Sequence, residues 1–163
     1  MKKIAFLLFL LLVLNTSSSF SDIMPYLSNY TPVFMKRADL IRSVSYQSKG
    51  RELVNPGKIY YKTPYIFVNE RYKGIHVINN TNPAHPVKEG FIVAPGCIDM
   101  AVKGDVIYLD NSVDLVAFSL LTKKVTSREV NVFPEPLAPD NSFYYAPRDE
   151  DMVVVDWKKN TNE

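Results

Sequence analysis

The sequence predicts an all-β fold built from repeated four-stranded antiparallel units, and three observations carry that prediction. First, three short apolar runs each close on a small polar residue: Ile75-His76-Val77-Ile78-Asn79, Leu115-Val116-Ala117-Phe118-Ser119 and Met152-Val153-Val154-Val155-Asp156. Their starts lie 40 and then 37 residues apart. Second, each is preceded, 9 or 10 residues earlier, by another β-rich run beginning at Tyr65, Val106 or Phe143. A fixed period near 40 with several strands per period is the signature of a β-propeller or a similar array. Third, 10 Tyr and 9 Phe favour half-buried pleated surfaces, and 11 Pro against 6 Gly favour many short connections over long helices. The expected architecture is a partial β-propeller, two blades plus part of a third.

In chain order, residues 1–21 read as a secretory signal peptide. Lys2 and Lys3 form the positive end, residues 4–14 an apolar stretch, and residues 15–21 a small polar segment suited to cleavage. The apolar stretch is shorter than the roughly 20 residues of a membrane-spanning helix. No cysteine follows it for lipid attachment, so the expected location is exported: periplasm, outer-membrane surface or secreted. Removing the two leader lysines from 19 basic residues leaves 17, against 17 acidic ones. A chain near neutrality lacks the basic surplus that phosphate neutralisation requires, so nucleic acid is not an expected partner. Cys97, the single cysteine, cannot form an internal disulfide and reads as a small buried hydrophobe.

Residues 22–56 form a lead-in without the repeat pattern. Within it a short amphipathic helix is expected, with Leu40, Ile41 and Val44 on one face. The neighbouring cations Lys36, Arg37 and Arg42 read as a solvated face. The repeats occupy residues 57–157. In the first, 57–93, strands are expected at 58–62, 65–69, 74–79 and 87–93, with turn-formers at 63–64 and 79–86. In the second, 97–132, the strands are 98–102, 106–110, 114–120 and 125–132. Lys62 matches Lys103 and Ile66 matches Ile107, and the offset shrinks only across turns, as a duplicated unit should behave. The third unit, 143–157, supplies strands at 143–146 and 152–157 after a Pro-rich stretch, and 158–163 form a polar tail.

These residues resemble the LVIVD-repeat family of exported bacterial β-propellers, whose signature strand residues 152–156 nearly spell. Asn55-Pro56-Gly57-Lys58-Ile59-Tyr60, Lys73-Gly74-Ile75-His76-Val77-Ile78 and Asp99-Met100-Ala101-Val102-Lys103-Gly104 are similar to the N-terminal portion of larger Bacteroidetes-type members. The resemblance implies fold and location and carries no catalytic motif. A closed propeller takes about 4 to 8 blades, so it also implies a truncated member of a longer family.

Candidate chemistry is sparse. His76 stands mid-strand where the other units have Val116 and Val153, which argues for a packed imidazole, and His85 lies in a Pro-flanked turn. Two histidines without a shared spacing or a cysteine partner do not make a zinc site. Asp99, Asp105, Asp110 and Asp114 cluster in the second unit, but the alternating ligands and glycine of a calcium loop are absent. Tyr60, Tyr61, Tyr65 and Tyr72 fit either a sugar- or peptide-stacking surface or, more simply, packing between blades. No phosphate loop or nucleophile elbow is present. No catalytic residue, metal ligand or cofactor is therefore assigned, and the binding residues stay open. The expected function is a non-catalytic, exported scaffold or binding module of the cell envelope. Its partner would be a protein or glycan ligand, with self-association through open blade edges as a further expectation. The alternative is a fragment of a propeller-type glycan hydrolase or lyase whose active site lies in other blades.

Overall fold

The structure, a computed structural model, describes residues 28–142 and 148–160. The expected leader, the expected strand at 143–146 and the last three residues of the polar tail lie outside them.

The fold is all-β and antiparallel. From the N-terminal side the elements are β1 (Tyr30–Lys36), α1 (Arg37–Arg42) and β2 (Ser45–Gln47). The first repeat supplies β3 (Pro56–Lys62), β4 (Tyr65–Glu70), β5 (Gly74–Asn79) and β6 (Val87–Val93). The second supplies β7 (Met100–Lys103), β8 (Val106–Asn111), β9 (Asp114–Ser119) and β10 (Lys124–Glu129), and β11 (Met152–Lys159) follows. Eight strands thus fall where the repeat pattern places them, because alternating β-branched and aromatic residues bounded by turn-formers leave little else for the backbone to do.

Each repeat is a meander. One sheet has the order β2-β6-β5-β4-β3 and the other β10-β9-β8-β7. They stack face to face on one core that includes Phe67, Ile75, Val77, Ile107, Leu109 and Phe118. The first strands of the two meanders lie side by side: Tyr60 donates its hydroxyl to Val102 O at 3.1 Å, and Lys58 pairs with Asp99 at 2.6 Å.

The faces used are not equivalent. Successive strand residues point to opposite faces, and Phe67 corresponds to Tyr108, Ile75 to Leu115 and Val77 to Ala117. The first sheet turns Phe67, Ile75 and Val77 into the core, whereas the second turns in Ile107, Leu109, Val116 and Phe118 and leaves Tyr108 outside. The stacking is therefore head to tail, and each sheet keeps one outer face. That of the first sheet carries Val68, His76 and Phe91, all buried, with Arg51 of segment 48–55 lying 4.3 Å from the Phe91 ring centre. That of the second sheet carries Tyr108, Leu115 and Ala117, which stay partly exposed.

The lead-in departs from its expected form. The helix is present, but β1 and β2 flank it, and each joins a distant partner: β2 pairs with β6 and β1 with β11. Neither strand shows a period, since edge and closing strands owe their conformation to the partner's hydrogen-bonding groups. Leu40 is fully buried and Val44 packs on the core, yet Ile41 is exposed, so the helix buries a narrower stripe than expected. The strand at 152–157 runs on through Lys158 and Lys159, which pair with Thr31 and Tyr30, so the first two residues of the expected tail belong to a sheet. The β1–β11 sheet lies across the β4–β5 and β8–β9 turns, where Ser112 donates its hydroxyl to Val154 O at 2.6 Å and Lys73 pairs with Asp156.

Candidate functional site

Two clefts and two buried polar clusters are the places where chemistry concentrates. The first cleft, about 900 Å³, opens on the outer face of the second sheet. One wall is Ile98, Tyr108 and Leu115, and the other is the Pro-rich stretch with Phe133, Pro136 and Leu137. That stretch is anchored at several points. Phe133 N–H donates to Val113 O at 3.0 Å, Trp157 Nε1–H to Pro136 O at 3.2 Å, and Tyr72 O–H to Leu137 O at 3.0 Å. Burial raises the Tyr72 hydroxyl pKa, with the Arg71 charge acting the other way.

The acids along this cleft have partners. Asp99 faces Lys58, and Glu135 holds Arg148 at 2.8 Å and accepts from Val154 N–H at 3.2 Å. Asp110 accepts from the N–H groups of Ile98 and Asp99 at 3.0 and 2.9 Å. Burial nevertheless raises its pKa above the usual aspartate value, against those hydrogen bonds. Cys97 beside it is fully buried, and burial, then the Asp110 carboxylate, pushes the thiol well up. Such a thiol is not a nucleophile.

A second cleft, about 620 Å³, separates the β1–β11 sheet from the first repeat, and Arg71 and Tyr72 line both clefts. At its floor His76 Nε2 meets Glu70 Oε2 at 2.9 Å. Glu70 also accepts from Val54 N–H at 3.1 Å and from Asn55 N–H. Burial works to raise the Glu70 pKa, but His76 and the two backbone donors outweigh it and hold the carboxyl below the usual glutamate value. A carboxylate has no proton to give, so Nε2 donates. Nδ1 is buried with no hydrogen-bond partner among the described residues. His76 is thus packed, as its position implied, but it packs against the carboxylate that ties segment 48–55 to the sheet. The sequence offered no sign of Glu70, because the pairing depends on the β4–β5 register.

The other cluster centres on Asp114, whose side chain is 0% exposed. Arg37 reaches it at 2.5 Å and Arg128 at 2.6 Å, and Asn131 N–H donates at 3.1 Å. Arg128 also donates to Asn111 Oδ1 at 2.9 Å. Arg37 is therefore not part of a solvated face; the carboxylate that binds it is 77 residues away. Held on both oxygens, Asp114 ties α1 and β10 to β9.

The remaining candidates scatter. Asp105 faces Lys62 on the surface, and His85 is exposed in its turn. Of the four aspartates, Asp99 and Asp105 point to solvent while Asp110 and Asp114 serve separate clusters. The tyrosines do not share a surface. Tyr60 bridges the sheets, Tyr61 is exposed and accepts from Thr63, Tyr65 tilts against Phe67, and Tyr72 is buried between the clefts. Comparison with protein-family models, curated proteins and solved structures gives no match.

Proposed function

We propose that this chain is an exported, non-catalytic binding or scaffold module of the bacterial cell envelope, built as part of a β-propeller and related to the LVIVD-repeat proteins. The observation that carries this reading is the first cleft. Its volume falls in the roughly 300–1,000 Å³ range of ligand pockets, and its walls present more apolar than polar surface. Its acids are engaged by lysine, arginine or backbone N–H, a disposition suited to holding a ligand rather than to moving protons. The head-to-tail stacking of two equivalent meanders supports the propeller reading, because that is how a blade presents the same face to each successor.

The test begins with the intact mass and the location of the protein in its native cells. A mature chain lighter than the 18.6 kDa precursor, recovered from the envelope, is expected. A full-length chain confined to the cytoplasm would overturn the reading. Purified protein is then incubated with cell-wall glycan. Unchanged glycan is expected, and release of soluble fragments would favour the rival, an envelope hydrolase or lyase.

A further inference from the structure

We propose that the first cleft binds a small anionic amphiphile, a carboxylate or phosphate monoester on an aliphatic body, with Arg71 as the residue that selects its charge. This deepens the binding-module reading and rests on it.

All six arginines lie among the described residues. Five are engaged. Arg37 and Arg128 hold Asp114, Arg42 holds Asp39, Arg148 holds Glu135, and Arg51 donates to Gln47 while stacking on Phe91. Arg71 alone has no side-chain hydrogen bond, ion pair or ring contact among the described residues. It is also the arginine that lines the first cleft, where Lys58 is already matched by Asp99.

Charge complementarity follows from that balance. Asp99 and Glu135 are matched by Lys58 and Arg148, and Asp110 is held by backbone N–H groups, so Arg71 is the lining cation that no carboxylate matches among the described residues. A guanidinium presents paired N–H donors that fit carboxylate or phosphate oxygens. Arg71 is held in place by its own backbone, whose N–H donates to Asn55 O at 3.0 Å, and by the buried Tyr72 that follows it. The body of the ligand meets Ile98, Tyr108 and Leu115 on one side and Phe133, Pro136 and Leu137 on the other. The apolar side chains that make up the greater part of the walls give an aliphatic chain a surface to bury against.

The roof over the cleft explains why such a space exists at this place. Tyr108 and Leu115 belong to the face that, one repeat earlier, packs a neighbouring sheet through Phe67 and Ile75. Here no sheet covers it among the described residues; the Pro-rich stretch arches over it from a distance, leaving the gap.

The test titrates the whole purified chain with octanoate, octyl phosphate and octanol, by calorimetry and by amide chemical shifts. Octanoate or octyl phosphate is expected to bind about tenfold or more tightly than octanol, a difference of about 1.4 kcal/mol, and to weaken with added salt. The stronger of the two anions identifies the headgroup. Arg71→Gln should abolish the preference and Arg71→Lys should keep most of it. Phe133→Ala should weaken all three ligands. Equal binding of octanol and octanoate, unchanged by Arg71→Gln, would overturn the proposed charge selection and leave the cleft reading standing. Binding of none of the three overturns the amphiphile assignment, while the envelope location and the glycan assay judge the wider reading separately.

Discussion

The two meanders share their strand spacing and their apolar core but anchor themselves by different polar chemistry. In the first, β5 begins at Gly74, whose φ of +140° and close approach to Ile92 O leave no room for a side chain. In the second, the corresponding residue is Asp114, which gathers two arginines and a backbone N–H. Two positions on, His76 lies on an outer face and is held by Glu70, while Val116 is pressed into the core between the sheets. The head-to-tail stacking accounts for this. Equivalent positions face the partner sheet in one repeat and the flanking segment in the other, so packing can be kept at each while the polar residues diverge.

The comparison can be broken most severely at Asp114. Asp114→Ala leaves Arg37 and Arg128 without their carboxylate in a site where Asp114 is 0% exposed, and should cost about 3–5 kcal/mol. Urea denaturation measures it; a loss under about 1 kcal/mol would mean that the cluster is decoration.

His76→Val gives the first repeat the residue of the second. It removes one buried hydrogen bond but leaves Glu70 its two backbone donors, so a smaller loss of about 1–3 kcal/mol is expected. Hydrogen exchange should then speed up at Val54 and Asn55. If exchange rises equally across β9, the pair does not act on segment 48–55.

A pH titration sharpens the contrast because the two repeats hold carboxyls shifted in opposite directions. Glu70 has a lowered folded pKa, so its contribution is present above the ordinary glutamate value of 4.5 and is lost as pH falls through the folded value. Asp110 has a raised one, so its ionisation penalises the folded state as pH climbs above 3.8 and through the folded value. Carboxyl carbon shifts followed by NMR should therefore place the Glu70 midpoint below 4.5 and the Asp110 midpoint above 3.8. A Glu70 midpoint at or above 4.5, or an Asp110 midpoint at or below 3.8, would refute the corresponding environment.

The smallest effect is expected at Lys58, whose ion pair with Asp99 joins β3 to β7 at the surface. With the side chains 64% and 53% exposed, Lys58→Ala should change stability by less than about 1 kcal/mol.

Much of the strand plan was legible because it is written locally. Alternation and turn residues mark β4, β5, β6, β8 and β9 to within a residue or two, and the spacing of Ile75, Leu115 and Met152 announces the repeat. The sites were less so. Arg37 looked solvated because the sequence shows its neighbours Lys36 and Arg42, not Asp114. Arg71 gave no signal either, since being the arginine without a side-chain partner among the described residues is visible only once the other five have found theirs. Ile41 reads as core in a helical wheel, yet with Leu40 and Val44 already filling the space against the sheet it stays in solvent.

The chain by itself determined its all-β character, its period and the bounds of its hairpins, since backbone sterics and alternation act over a few residues. Only the tertiary structure decided which face of each sheet is buried, that β1 closes on β11 more than a hundred residues away, and which charges are left unmatched. Those outcomes depend on pairing between distant residues, where a carboxylate or a sheet edge takes whichever partner the folded geometry brings within hydrogen-bonding reach.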